Sequence, residues 1–425
     1  MPGKVLLPSS DFIREQEVRH PAREARLPRG EASPRARPRW SFPAGEEGVR
    51  YNVVVVGGGI TGLCTAYSLA LRGAGRVAVF ERSYLGSGST FRCAGGIRAS
   101  FTSREHIVLM KKSIELWAKL AQELGVKYAR SGYLWLSSTE EGLERLKRYM
   151  RIHNENGLPT RLVDEGFIRE IAPYISTERL TGALYDPLAG KASPFDAVYK
   201  LYSALRRLGV EFRIGESVVE VEAEGGSVKG VRTDRKRVQA DAVVLATGPY
   251  INELLRPLGV DPRVTPVPHH AAVTEEFGRL FDPLVIDFES GAYAVQTFHG
   301  NLLMGVEVPE EPFAPLEVRL EFLWRAVKEW SKWMPWLPRV NILRYWPGYY
   351  EVTPDHHPVL GPVSGYENLY IAAGFSGHGF MMGPVVGEVM ADWVLSGEPG
   401  IPEAKNLVLE RFQLGRLVHE LAVIG

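Results

Sequence analysis

An unbroken apolar run, Val53 to Val56, leads directly into Gly57-Gly58-Gly59-Ile60-Thr61-Gly62. Four successive valines suit a strand buried on both faces of a parallel sheet. A helical pattern follows from Leu63 to Leu71, closed by Gly73 and Gly75. A second apolar run, Val77 to Phe80, ends at Glu81. This order predicts a βαβ unit. Within it, Gly57 permits the tight strand-to-helix turn, Gly59 lets backbone approach a pyrophosphate, and Gly62 allows helix and strand to pack closely. The helix N-terminus turns free N–H groups and a positive dipole end toward phosphate. Glu81, 19 residues past Gly62 at a strand end, can accept both ribose hydroxyl protons. The unit therefore predicts dinucleotide binding, without separating FAD from NAD.

Further along, apolar or alternating runs predict strands at 131–138, 217–231, 242–246 and 369–373, with several more between 265 and 305. The 217–231 segment reads as a hairpin turning at Gly225-Gly226. Helical patterns cover 105–124, 139–172, 194–208, 316–336 and 385–395, with the last helix starting near Pro384. The fold class expected is α/β: a Rossmann-like sheet domain interrupted by a second, α+β domain on a mixed sheet. Fifty basic residues against 50 acidic leave no net field to draw nucleic acid or an anionic membrane. Two cysteines exclude a disulfide framework and a thiolate metal site.

Residues 1–50 are Arg/Pro-rich and lack the apolar core of a signal peptide, so an extended arm is expected there. No run of 18 apolar residues is present to span a membrane. The expected location is cytoplasmic, peripheral to a membrane at most. Only 13 residues are Asn or Gln, a depletion that hints at a heat-adapted source. The amphipathic stretch Leu407 to Ile424 suits either a partner, a second copy, or packing on its own chain.

Two further glycine-bearing segments carry chemistry. Ala246-Thr247-Gly248 closes the apolar strand from Asp241 and offers a second backbone approach to the nucleotide, or a plain turn. Thr353-Pro354-Asp355, Pro358-x-x-Gly361 and Gly374-Phe375-Ser376-Gly377-His378-Gly379-Phe380-Met381-Met382-Gly383-Pro384 follow in order. Closely spaced glycines let backbone N–H groups line a flat ligand, and the positive end of the following helix suits the developing charge of a reduced flavin.

Taken in this order and spacing, these segments resemble the FAD-dependent amine and amino-acid oxidoreductases typified by D-amino-acid oxidase, glycine oxidase and sarcosine oxidase. The resemblance covers about residues 51–400. It is nearest to the sarcosine-oxidase β-subunit branch, which includes archaeal dye-linked L-proline dehydrogenases, and the Gly88-Ser89-Thr90-Phe91-Arg92-Cys93-Ala94-Gly95-Gly96-Ile97-Arg98 segment looks like theirs.

The resemblance implies FAD rather than NAD. It implies an FAD domain near 51–129, 191–262 and 356–400, a substrate domain at 130–190 and 263–355, and a tail at 401–425. Gly57, Gly59, Ile60, Thr61 and Gly62 would hold the pyrophosphate end, with Glu81 on the ribose and Arg82 beside it. Val218 would meet the adenine through its backbone. Ser89, Thr90, Thr247 and Gly248 would approach the same cofactor, and Gly348, Gly377, His378, Gly379, Phe380 and Met381 would line its flavin. Arg98 falls where sarcosine oxidases bind the substrate carboxylate. Tyr293, Trp346 and Tyr349 lie in segments expected to face the flavin.

Three departures narrow the reading. Gly348 stands where monomeric sarcosine oxidase carries flavin on a cysteine, so the FAD is expected to be non-covalent. Leu303 stands near the oxygen-activating lysine, which favours a dehydrogenase. Met381 replaces a second carboxylate-binding lysine.

The paired His269-His270 and His356-His357 point to opposite faces if on strands, so no metal site is expected. Cys93 reads as a spectator thiol, and the Trp324, Trp330, Trp333 and Trp336 cluster as core or interface. The implied chemistry is oxidation of an amino acid's C–N bond by hydride transfer to flavin N5. L-Proline, giving 1-pyrroline-5-carboxylate, is the first substrate, and sarcosine or another N-alkylated glycine the second. The electron acceptor is unknown. Two rivals are an oxidase forming peroxide and a non-catalytic flavin-carrying subunit. A homodimer or a hetero-oligomer subunit is expected.

Overall fold

The four valines divide by alternation. Val53 and Val55 face one apolar core, Val54 and Val56 the other, and none is more than 4% exposed. That division requires a sheet covered on both faces. The computed structural model, which describes residues 50–423, contains that sheet. The N-terminal arm expected for 1–50 lies outside the described residues except for Arg50. β1 (Arg50–Val56) runs parallel to β2 (Val77–Glu81) on one side and to Arg237–Leu245 on the other, with Val53 opposite Val77 and Ala242. Between β1 and β2, α1 (Ile60–Leu71) crosses over. Glu211–Ile214 extends the sheet beyond β2. Leu369–Ala373 adds in parallel to Arg237–Leu245, whereas a hairpin, Val218–Glu224 with Ser227–Thr233, adds to that strand antiparallel through Ser227–Thr233.

A second eight-stranded sheet is mostly antiparallel, made mixed by Leu284–Asp287 running parallel to Tyr133–Ser137. Its longest pairing joins Thr265–Glu276 to Ile342–Val352. A small sheet of Gly96–Ile97, Tyr128–Ala129 and Gly190–Ala192 is separate from both. The architecture is α/β with multiple mixed sheets, as the sequence suggested. α2 (Arg104–Leu124) and a long helix, Gly379–Ser396, pack on the same face as α1.

Two helices differ from expectation. The helix expected at 316–336 covers only Leu320–Trp330. Pro335 and Pro338 cannot continue it, and Trp330, Trp333 and Met334 turn into the core instead. The helix expected to start near Pro384 begins at Gly379, with Pro384 inside it. The neighbouring Met381 carbonyl takes hydrogen bonds from Ser113 Oγ (2.6 Å) and Trp117 Nε1 (3.0 Å) of α2, which ties that irregular turn to its neighbour. Of the readings open for 407–424, its described residues, 407–423, follow the packing on their own chain, as a short turn and extended chain. Arg411 is buried there, its Nε 2.8 Å from Asp355. Burial, the largest single influence, would raise Asp355, but the hydrogen bond and charge of Arg411 together with the His357 N–H and its ring outweigh it and hold the carboxyl below its ordinary range. Among the described residues no helix is long and apolar enough to cross a membrane.

Candidate active site

Gly57 sits at φ +111°, and a Cβ there would lie 2.3 Å from the Ala246 carbonyl oxygen. A Cβ on Gly62 would lie 2.0 Å from the Gly57 oxygen. Both positions therefore demand glycine, one for its conformation and one for helix–turn contact. The turn delivers the start of α1 to a cleft. That helix has no acidic residue in its first turn and no side-chain cap of its own. Only Ile60 N–H is taken by a side chain, at 3.0 Å from Thr90 Oγ1. Glu81 braces the loop: its Oε2 accepts from Gly58 N–H and its Oε1 from Ser83 N–H, each at 2.8 Å.

Two cavities open along this cleft. The larger, of about 410 Å³, is lined by Gly57, Gly59, Thr61, Glu81, Arg82, Ser89, Thr90, Val218, Thr247 and Gly248. Arg82 is held in its wall by stacking 3.6 Å above the Tyr250 ring. The smaller, of about 130 Å³, is lined by Ile60, Arg98, Tyr133, Tyr293, Gly348, Tyr350, Phe375 and the Gly377–Met381 turn. Thr61, Ser89, Thr90, Arg92, Tyr349 and Glu351 belong to both, so the two make one elongated site. Two residues singled out in the sequence lie outside both walls. Gly62 is spent on packing, and Trp346 donates its Nε1–H to the Arg92 carbonyl at 3.1 Å.

The smaller cavity is rich in aromatic side chains. Burial raises the pKa of Tyr133, Tyr293 and Tyr350, so all three stay protonated phenols. His378 stands at the N-cap of the Gly379–Ser396 helix, packed edge-on against Phe101 and His106. Burial, then the charges around it, push its pKa well down, and both ring nitrogens lack partners. Cys93 is pushed up to about 12 by burial and donates to the Thr90 carbonyl, which leaves it an inert thiol.

Arg98 belongs to the cavity wall while exposing none of its own surface. Its guanidinium lies 3.7 Å over the Phe101 ring. Nη1 donates to the Ser100 carbonyl and Nη2 to that of Ala422, whereas Nε has no partner. Of the five N–H donors of the guanidinium, two are committed to these carbonyls, and Nε–H is among those left for a carboxylate.

Glu351 was not singled out by sequence reasoning. Its carboxyl, buried at the junction of the cavities, accepts from Gly374 N–H at 2.9 Å, and burial raises its pKa to about 7. The one sequence signal was its place two residues before Thr353-Pro354-Asp355, on an aromatic strand. The fold also gathers His106, His357 and Glu420, whose ligand-type atoms lie within 4.8 Å of one another. His106 Nδ1 and His357 Nε2 are 3.4 Å apart. Glu420 is already saturated by N–H and O–H donors, and burial, His357 and the cations Arg98 and Arg411 keep His106 neutral. Those features describe a hydrogen-bonded core.

Residues 52–393 match the family profile described as DAO, FAD dependent oxidoreductase. The chain belongs to this family. Among solved structures it is similar to L-proline dehydrogenase from P. horikoshii, at 36% identity and a TM-score of 0.84, covering 88% of this chain and all of that one. Glycine oxidase from Geobacillus kaustophilus is similar at 27% identity and a TM-score of 0.76, covering 81% and 95%. Among curated relatives, 4-methylaminobutanoate oxidase (formaldehyde-forming) from Paenarthrobacter nicotinovorans is 28% identical over 84% of this chain and 45% of its own length. Sarcosine oxidase subunit beta from Arthrobacter sp is 27% identical over 90% and 95%. The chain thus spans about half the length of several curated relatives it matches.

FAD is the cofactor of this family, and the residues present fit it. The site is elongated, it begins at a helix N-terminus, and its rim carries Thr247 Oγ1 buried without a partner. Glu81, Arg82 and Val218 lie in the wide end, and the Gly377–Met381 turn in the narrow one.

Proposed function

We propose that the chain oxidises the C–N bond of a small secondary amino acid, L-proline first, giving 1-pyrroline-5-carboxylate and passing electrons to an acceptor other than oxygen. The observation that carries this reading is Arg98: a fully buried cation with an open Nε in a cavity of phenols and apolar rings. FAD, held non-covalently, supplies the two-electron acceptor at its N5. Arg98 takes the substrate carboxylate in a charge-assisted hydrogen bond, which fixes the ring so that its δ-carbon, the neighbour of nitrogen on the side away from the carboxylate, gives up the hydride that leaves the C=N bond of 1-pyrroline-5-carboxylate. Tyr133, Tyr293 and Tyr350 exclude water, and the low polarity favours the neutral amine whose lone pair assists hydride departure. The first turns of the Gly379–Ser396 helix turn free N–H groups to the narrow end, where negative charge develops. His378 packs there as a neutral ring.

Similarity to an L-proline dehydrogenase, a sarcosine oxidase subunit and a 4-methylaminobutanoate oxidase supports a secondary amine as the common substrate feature. Sarcosine is the second substrate on this reading. Similarity to a sarcosine oxidase β subunit also supports assembly as one subunit of a hetero-oligomer. The test is anaerobic reduction of the yellow protein by L-proline, sarcosine and 4-methylaminobutanoate in turn. Bleaching is expected first with L-proline. An oxidised spectrum with proline and a bleached one with sarcosine would overturn the substrate, and rapid peroxide formation in air would overturn the acceptor.

A further inference from the structure

Residues 412–423 form no helix or strand, yet Glu420 and Ala422 are 1% and 2% exposed. The Glu420 carboxylate accepts from Thr102 N–H (2.9 Å), Thr102 Oγ1–H (2.7 Å), Ser103 N–H (2.9 Å) and Ser103 Oγ–H (2.7 Å). It also accepts from Ala422 N–H at 2.8 Å. Ser103 is the N-cap of α2, but its hydroxyl makes no cap bond within that helix. A carboxylate from a distant part of the chain sits against this end of the helix instead, on the N–H of the cap residue and of the residue before it, where the helix dipole favours negative charge. Leu421 N–H adds a bond to Thr102 Oγ1 at 3.0 Å, and Glu420 N–H one to the Asp355 carbonyl at 3.1 Å.

This anchoring fixes one more group, the Ala422 carbonyl that accepts from Arg98. A guanidinium held only by Ser100 and the Phe101 ring keeps freedom to rotate about its own plane. A second carbonyl on the other Nη removes that freedom and fixes the direction of the donors that remain, Nε–H among them. We infer that Glu420–Ala422 is a strap that positions Arg98, with Glu420 and Thr102 as its anchor and the Ala422 carbonyl as its working contact. The inference rests on the reading of Arg98 as the carboxylate-binding group. Glu420 touches no substrate and acts only through Arg98.

The test uses the full-length holoenzyme and two ligands read from flavin absorbance: cyclopentanecarboxylate, which carries the carboxylate, and pyrrolidine, which lacks it. Glu420→Gln weakens the anchor by removing its charge. Thr102→Val removes one hydroxyl of the anchor with little change in volume. Both are expected to raise the dissociation constant for cyclopentanecarboxylate about tenfold while leaving that for pyrrolidine within about twofold. In turnover the same variants should raise KM with kcat nearly unchanged. Arg98→Ala separates the two claims. If it leaves carboxylate binding unchanged, the role of Arg98 fails and the strap with it. If Arg98→Ala abolishes discrimination but both anchor variants retain it, the strap alone is overturned. Equal weakening of both ligands in the anchor variants would show a merely structural segment and overturn the strap as well.

Discussion

At the scale of single residues, two buried ionisable groups set the behaviour of the site. A charge-assisted hydrogen bond contributes about 1.5–3 kcal/mol, so Arg98→Ala should raise KM for an amino-acid substrate roughly tenfold to a hundredfold, measured by steady-state kinetics. Glu351 gives a pH signature. Its folded pKa of about 7 lies above the ordinary value of 4.5. The folded chain therefore binds the proton more tightly than the unfolded chain. The resulting stability is fully present below pH 4.5, declines as pH rises toward 7 and is gone above it. Glu351→Gln should abolish this decline, which is on the order of 3 kcal/mol, in apo-protein denaturant titrations at several pH values. A wild-type decline that persists in the variant would assign it to other groups. Arg98 could be named from sequence because it closes a glycine-rich segment of familiar pattern. Glu351 could not, since a lone acid on an aromatic strand has no spacing that betrays its burial.

At the scale of elements, sequence succeeded where the physics is local. Val53–Val56, the glycines after it and Glu81 specify strand, turn, helix and strand by rules that act within a few residues. It failed where distant chain decides. Pro384 signals a helix start, but the helix begins five residues earlier, at Gly379. Ser113 and Trp117 of α2 hold the carbonyl of Met381 in the irregular turn, a partnership no local pattern encodes. Trp117→Phe keeps most of the ring volume and removes one of those donors. It should destabilise the protein by about 1 kcal/mol in thermal unfolding. Gly62→Ala is a harsher change, because the new carbon would lie 2.0 Å from the Gly57 oxygen. Purified variant should carry little FAD, read as flavin absorbance per protein, and full retention would contradict the packing role of Gly62. For the 407–424 stretch the apolar spacing left docking and packing on its own chain both open, and the contact that decides, Arg411 with Asp355, joins residues far apart in the chain.

At the scale of the whole molecule, a buried ion pair, Arg411 with Asp355, ties the C-terminal chain to the loop that follows Ile342–Val352. Breaking a buried pair leaves the partner uncompensated, at a cost of about 3–5 kcal/mol. Arg411→Met should therefore lower the unfolding midpoint markedly, whereas the double variant Arg411→Met with Asp355→Asn should recover part of the loss. FAD acts on the same balance: at a hundredfold excess over its dissociation constant it adds about 2.7 kcal/mol, so apo and holo protein should melt apart. The cleft also has a history in synthesis. Its walls come from Gly57–Glu81, then Val218 and Thr247–Gly248, then Tyr349–Glu351, and last the Gly377–Met381 turn. The strand Leu369–Ala373 pairs with Arg237–Leu245, which pairs with β1. A chain emerging from the ribosome therefore displays its glycine turn long before it has a wall to close over a flavin. Cofactor capture must wait for the Gly377–Met381 turn, and a chain stalled before residue 377 would expose a half-built groove with nothing to fill it.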